Sequence, residues 1–440
     1  MKLSGWGRFP VSECRVEAVR CEADVLALIG KGDVIARGNG RAYGDSAANA
    51  LCTIDMRRMN RMIAFDASSG QLTAESGALL GDVIDTFLPR GWFLSVTPGA
   101  KFVSLGGAIA ADVHGKNHHK DGSFGSFVDW IEICGADGQV RRCSRTENAD
   151  LFAWTLGGMG LTGVILRAAF RLRQVESGWI RQTLIPAVNL DAAMEIFEAS
   201  QDATYSVAWI DCLARGRSQG RSLVMLGEHA LAAELPRHRQ SNPFDTGNRA
   251  KRSVPFDLPR MLLNSLTVEA FNDLYYWNGK RKAGQVLVDW DSYFYPLDAL
   301  LQWNRIYGKR GFAQFQCVLP LEASKSGLTA LLSAIADEGG GSFLAVLKRF
   351  GAQNGNISFP MPGYTLALDF PVSPRNLTLL EELDAIVLAH GGRFYLAKDS
   401  RMSRETFHRS EPRSDNFSKF RGNEDMQQHF RSAQSDRLGL

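Results

Sequence analysis

Between Ala36 and Asp45 the chain reads ARGNGRAYGD, a stretch that neither a regular helix nor a regular strand accommodates. Gly38, Gly40 and Gly44 alternate there with Arg37 and Arg41, directly after Val34-Ile35-Ala36, which reads as a strand. Glycine admits positive φ and lets backbone N–H groups approach an anion closely. The two arginines add fixed positive charge. A second stretch, Thr97–Gly125 (TPGAKFVSLGGAIAADVHGKNHHKDGSFG), repeats the theme with Gly99, Gly106 and Gly107. It ends in the polar cluster His114, Lys116, Asn117, His118 and His119. Two such segments in one chain point to a large phosphate-bearing cofactor held between them; the plainer alternative is a pair of surface turns.

The familiar nucleotide motifs do not apply. No G-x-x-x-x-G-K-[ST] is present, which argues against a P-loop. Tyr43 stands where a G-x-G-x-x-G would need its third glycine, which argues against a Rossmann site. The net charge of +3 over 440 residues gives no reason to expect nucleic acid. Seven scattered cysteines, an odd number without a C-x-x-C pair, suggest reduced, buried thiols and a cytoplasmic setting. The start MKLSGWGRFP has no apolar signal region, and no apolar run is long enough to span a bilayer. Any membrane contact is expected to be peripheral.

In chain order, Glu22–Ile29 reads as a short helix ended by Gly30, and Leu51–Met56 as a strand. Gln71–Glu75 is a strand and Leu79–Leu88 a helix. Asp129–Cys134 and Gln139–Cys143 form a hairpin around Gly135-Ala136-Asp137-Gly138. A third glycine-rich segment, Leu156–Gly163, runs into the strand Val164–Leu172. Beyond Glu176 the glycine clusters thin out and strands alternate with helices, which reads as a second, α+β domain. Its helices are Asp191–Ser200 and Gly327–Glu338; its strands are Tyr205–Cys212, Phe312–Leu319 and Thr365–Phe370. Arg237–Arg260 is irregular and basic, carrying Arg237, Arg239, Arg249, Lys251, Arg252 and Arg260. It suits a solvated loop, a mobile lid or a contact with anionic lipid. Met261–Leu263 and Phe271–Trp277 suit a greasy partner or a core. Gly391–Arg401 is a short strand with Lys398 at its end, and the tail after Ser403 is polar and helical.

These segments, in this order, resemble the vanillyl-alcohol-oxidase-type flavoproteins. The likeness runs through Gly5-Trp6-Gly7-Arg8, ARGNGRAYGD, Gly106–Ala110, the HGKNHH of His114–His119, Gly160–Gly163, Gly311–Gln316, Phe359–Gly363 and the AKDSR of Ala397–Arg401. It implies an α+β fold in which residues 1–177 and a C-terminal return, 393–440, make a two-part FAD-binding domain. Residues 178–392 would form an α+β substrate domain with an antiparallel sheet. It also implies that FAD contacts Arg37, Gly38, Asn39, Gly40, Arg41, Ala42, Tyr43, Gly44 and Asp45 in the first loop. Further contacts would be Gly99, Ser104, Gly106, Gly107, Ala111 and His114, with Gly160, Ile165 and Tyr395 beyond. Many relatives tether the flavin through a histidine where this chain has Arg41, or through a cysteine that Ser104–His114 lacks; a non-covalent flavin is expected. The likeness lies with the branch that oxidises the 2′-hydroxyl of a polyprenyl-phosphoryl ribose. A separate NAD(P)H-dependent reductase then completes an epimerisation to arabinose. A soluble sugar or alditol oxidase using oxygen, and a flavin-binding scaffold without catalysis, are the rival readings.

The chemistry requires a C–H bond placed near the flavin and a group that takes the hydroxyl proton or steadies an alkoxide. Lys398 is the first candidate, because a partly desolvated lysine has a lowered pKa; otherwise it is an exposed lysine paired with Asp399. Tyr43 and His114 are the other catalytic candidates. Lys116, Trp209, Phe294, Gln314, Gln316, Thr365 and Ala367 are the candidate substrate contacts. Gln314 and Gln316 share one face of a strand, suiting sugar hydroxyls, the flavin ring or solvent. Trp209 and Phe294 suit core equally well. His114 and His118 have a helical metal-ligand spacing, but Gly115 opposes a helix, and no metal is expected. Ala367, Thr365 and Phe294 depart from the cysteine, asparagine and tyrosine of the actinobacterial pattern.

Overall fold

The computed structural model describes residues 1–440 except 248–251, 259–264, 340–341, 343 and 424. Arg249, Lys251, Arg260 and Met261–Leu263, singled out above, lie outside the described residues.

Three larger sheets carry the chain, beside two two-stranded pairs among the described residues. The first is small and parallel: β1 (Val16–Ala18), β2 (Ile35–Arg37) and β3 (Thr53–Asp55), ordered β1-β3-β2. Helix α1 (Glu22–Ile29) buries Val25 and Ile29 in the same cluster as Val34 and Ile54. The second sheet is antiparallel, with β4 (Met62–Asp66), β5 (Gln71–Glu75), β6 (Trp92–Leu94), β7 (Val128–Cys134), β8 (Val140–Ser144) and β9 (Val164–Gln174). Its order is β8-β7-β9-β5-β4, with β6 pairing the far end of β9. β9 is central because its first seven residues are nearly all buried, so both faces need cover. Helices α2 (Leu80–Phe87) and α3 (Leu105–Ala110) supply it, packing Leu80, Val83, Ile84, Leu105 and Ile109 into one core with Ile131, Ala168 and Phe170.

The third sheet holds eight antiparallel strands. They are β10 (Trp179–Ala187), β11 (Tyr205–Ile210), β12 (Ser222–His229), β13 (Gly284–Asp289), β14 (Phe312–Pro320), β15 (Ala345–Phe350), β16 (Gly363–Pro371) and β17 (Arg393–Phe394). The order is β13-β10-β12-β11-β15-β16-β14-β17. α4 (Leu190–Ala199), α6 (Leu321–Glu338) and α7 (Pro374–Ala389) cover one face, and α5 (Ser265–Arg281) packs against β10 and β12. α6 buries Leu328, Leu331, Leu332 and Ile335, and α7 buries Leu379, Leu380, Leu383 and Val387. The spacings, i, i+3, i+4, i+7 in α6 and i, i+1, i+4, i+8 in α7, are each a helical apolar stripe, each full burial being worth about 1.5–3 kcal/mol. The opposite face of β14, β15 and β16 is left for polar side chains.

The tail folds back on the start of the chain. Phe430 bridges Val34 in parallel, Ala433 N donates to Ala48 O at 2.8 Å, and buried Arg421 donates to Leu161 O and Phe430 O. The expected elements lie within a few residues of their predicted bounds. The exceptions are α6, which starts six residues earlier than expected, at Leu321; Arg237–Arg260, which contains the short helix Arg237–Gln240 and the strand Arg252–Ser253; and Gly391–Arg401, whose strand is confined to Arg393–Phe394, with Lys398 in the turn that follows, its N–H donating to Tyr395 O.

Candidate functional site

Close contacts explain the glycines of the first loop. A Cβ on Gly38 would lie 1.9 Å from Ser104 Oγ, and one on Gly44 would lie 2.2 Å from Asp399 O. The loop therefore touches the second glycine segment on one side and the AKDSR segment on the other. Asn39 Nδ2 donates to Phe102 O at 2.9 Å, and Tyr43 N donates to Ala397 O at 2.9 Å. Ser104 Oγ caps α3 by accepting from Gly107 N.

These segments enclose a cavity of about 620 Å³. The first loop from Arg37 to Gly44 lines it, with Gly99, Ser104, Gly106, Gly107, Ala111, His114, Gly160, Ile165 and Tyr395. The third sheet supplies a polar wall: Gln314 and Gln316 from β14, Thr365 and Ala367 from β16, Val346 and Lys348 from β15, with Lys398 beside them. The register puts Gln316, Ala367 and Val346 in one row and Gln314 opposite Asp369.

Burial sets the electrostatics of this wall. Lys398 is pushed well below the ordinary lysine value by desolvation, against the opposing pull of the Asp369 carboxylate. Its ammonium lies 3.5 Å from the centre of the Tyr43 ring. Asp369 is itself raised by burial and accepts from Gln314 Nε2 at 2.5 Å. Lys348 is lowered to about 8 by burial; both lysines line the cavity. Burial also holds the Tyr43 phenol well above its usual value, so it stays protonated. His114 is driven well below the usual imidazole range, first by burial and then by Lys348. It is neutral, and its Nε2 accepts from Gln316 Nε2 at 3.0 Å. That leaves Nδ1 carrying the proton. Tyr395 OH donates to Ala111 O at 2.9 Å.

Four expected contacts lie elsewhere, each for a visible reason. Asp45 turns from the cavity to bind Arg437, with Oδ1 at 2.8 Å. Lys116 donates to the Tyr293 carbonyl and sits 4.1 Å above the Tyr293 ring; burial lowers it to about 7. Phe294 packs among Phe93 and Tyr205 in the core. Trp209 lies under α5, 4.8 Å from Tyr275 between ring centres. Arg37 lines the cavity, but its guanidinium is spent on Ser4 O and Ala47 O. In the HGKNHH segment, Asn117 donates to Ser95 O and Asp121, His118 meets Gln353 and His119 meets Ala203 O. Among the described residues no three His, Cys, Asp or Glu side chains gather as a metal site. Lys348 and Asp369 are site residues that the sequence reading passed over.

Comparison with known proteins accounts for this arrangement. Residues 18–144 match the FAD binding domain family. The decaprenylphosphoryl-β-D-ribose oxidase of Mycolicibacterium smegmatis is 35% identical, over 100% of this chain and 97% of its own. This chain belongs to the decaprenylphosphoryl-β-D-ribose oxidase family. L-Gulonolactone oxidases share only a part: the Mus musculus enzyme is 33% identical over 29% of each chain, and the Bos taurus enzyme 30% over 41% of each. Membership makes the chain an FAD-dependent oxidoreductase, and the decaprenylphosphoryl-β-D-ribose oxidase family places FAD as its cofactor. The cavity fits that group. Arg41 Nε, Ser76 Oγ and His114 Nδ1 are buried in its lining without a hydrogen-bond partner. Buried polar atoms are rarely left so, and a cofactor rich in acceptors would satisfy them. A Cβ on Gly99 would meet nothing within 4 Å, which leaves open space beside the second loop.

Proposed function

We propose that the chain oxidises the 2′-hydroxyl of a polyprenyl-phosphoryl ribose to the 2′-keto sugar. The reading takes residues 1–177 and 393–440 as the FAD side and 178–392 as the substrate side. The observation that carries it is the polar wall of Lys398, Asp369, Gln314, Gln316 and Lys348, in a chain similar over its whole length to a decaprenylphosphoryl-β-D-ribose oxidase.

FAD, when bound, supplies the acceptor for the hydride that leaves the sugar carbon. The first loop and Ser104–Gly107 would hold its phosphates through backbone N–H groups. Arg41 Nε and His114 Nδ1–H offer two further donors. On the other wall, Gln316, Thr365 and Lys348 are placed to orient sugar hydroxyls. Lys398, with its proton affinity reduced by burial, takes the hydroxyl proton as neutral amine and then steadies the product side as ammonium. Tyr43, protonated and 3.5 Å beneath that ammonium, favours the charged form through its ring face. Asp369 tunes the lysine from β16.

The keto product calls for a separate NAD(P)H-dependent reductase to finish the epimerisation. A lipid-linked substrate calls for peripheral contact with a membrane; among the described residues no helix is long and apolar enough to cross one. The test is anaerobic mixing of purified protein with polyprenyl-phosphoryl ribose while following flavin absorbance. Bleaching is expected. Absence of bleaching, beside an active control enzyme, would falsify the reading. The partial likeness to L-gulonolactone oxidases favours a rival, a soluble sugar oxidase; that rival predicts peroxide from lipid-free sugars in air.

A further inference from the structure

Helix α5 (Ser265–Arg281) carries apolar side chains on both of its faces. Inward, Val268 is buried, Asn272 Nδ2 donates to Asp211 Oδ1 at 2.7 Å and Tyr276 OH donates to Ala187 O at 3.2 Å. A Cβ on Gly279 would lie 2.2 Å from Leu223, so the helix rests directly on β12. This inner contact satisfies the helix as a core element. Outward, Leu266 is 75% exposed, Leu274 64% and Trp277 54%. With Ala270 they follow i, i+4, i+8 and i+11, one continuous stripe along the helix. Large apolar residues collected on one exposed face mark an interaction surface.

Two further observations select the occupant. The stripe ends in Lys280, Arg281 and Lys282, all exposed, and the Arg281 guanidinium stacks 4.6 Å from the Trp277 ring. A tryptophan and cations at the edge of an apolar stripe match the headgroup–acyl boundary of an anionic bilayer. The acidic neighbours Glu269 and Asp273 lie on the flank, Asp273 held by Arg221. Secondly, the sheet surface on which α5 rests is continuous with the cavity wall. One straight cross-strand row runs Gln316, Ala367, Val346, Trp209, Leu223. Its first three members line the cavity, and its last two lie under Tyr275 and Gly279 of α5.

We infer that α5 seats the protein on an anionic lipid surface, entering the headgroup–acyl boundary with Leu266, Leu274 and Trp277 beside the cavity. A lipid-linked sugar then meets the protein on the side of the sheet that carries the polar wall; this last clause rests on the substrate reading above.

The test uses full-length, flavin-loaded protein and sedimentation with vesicles of phosphatidylcholine and phosphatidylglycerol. The wild type is expected to bind them and to bind pure phosphatidylcholine vesicles less. The double variant Leu274→Ser, Trp277→Ser should lose at least about tenfold in bound fraction. The triple variant Lys280→Gln, Arg281→Gln, Lys282→Gln should lose the preference for phosphatidylglycerol. A wild type that stays in solution, or a double variant that binds as the wild type does, overturns the inference. So does a wild-type dimer that the double variant dissolves, since a second copy would then cover the stripe. Flavin bleaching by a water-soluble, short-prenyl phosphoryl ribose should be equal in wild type and double variant, showing an intact cavity. No bleaching in either would sink the substrate reading while the vesicle result still decides on α5.

Discussion

Lys398 works only if its proton is loosely held, and burial provides that against the opposing pull of Asp369. The neutral amine is the proton acceptor, so its fraction grows as pH rises through its lowered pKa. Flavin reduction by the sugar should therefore speed up with rising pH and level off below the range of an ordinary lysine. In Lys398→Met, which keeps the volume, flavin should remain bound while reduction slows by about 10²–10⁴-fold. Stopped-flow absorbance checks this, and an unchanged rate would remove the lysine from the mechanism. Asp369 raises the proton affinity of Lys398 by its charge. Asp369→Asn should thus shift the rising limb of the pH profile toward acid, with Gln314 still hydrogen-bonded to the amide. A limb that stays in place would mean that the two groups do not communicate.

Among the elements, the first glycine loop is the most constrained, since Gly38 abuts the side chain that caps α3. Gly38→Ala has to push Ser104 aside and disturb both segments at once. The expected outcome is a folded protein that purifies with at least about tenfold less flavin, read as visible absorbance per protein; normal flavin content would show that the two segments are not one cradle. This cradle was legible in the sequence because glycine spacing reports backbone proximity directly. β5 and α1 were legible because their apolar periods are local. The polar wall was only half legible. Period two along β16 carries Thr365 and Ala367 on to Asp369, yet an isolated aspartate in an apolar strand gives no local sign that Lys398 will arrive beside it. Lys348 hides in the same way between Val346 and Phe350. Trp209 and Phe294 misled because an aromatic residue in a strand serves a core and a pocket equally well; the cover supplied by α5 and by Phe93 decided between them. The exposure of α5 was equally out of reach, since sequence does not show which of two apolar helix faces meets a sheet.

At the scale of the molecule, segments far apart in the chain are locked by charge. Arg437 binds both Asp45 of the first loop and Asp399, the neighbour of Lys398, at 2.8 and 2.9 Å. Both carboxylates are nearly buried. Burial drives Asp399 upward, but Arg437 and the backbone N–H groups of Arg401 and Met402 more than reverse it. Arg437→Leu strands two buried charges and should cost about 3–5 kcal/mol of stability. Urea unfolding would show it as a lower midpoint, with flavin released earlier in the same titration; a midpoint within error of wild type would make the cluster ornamental. The same closure has a temporal side. Phe430, Ala433 and Arg437 leave the ribosome long after Val34, Ala48 and Asp45, yet they complete the wall behind them. A nascent chain has no finished receptacle before those residues emerge, so loading must follow their synthesis, and polypeptide stalled short of Ala433 should be colourless.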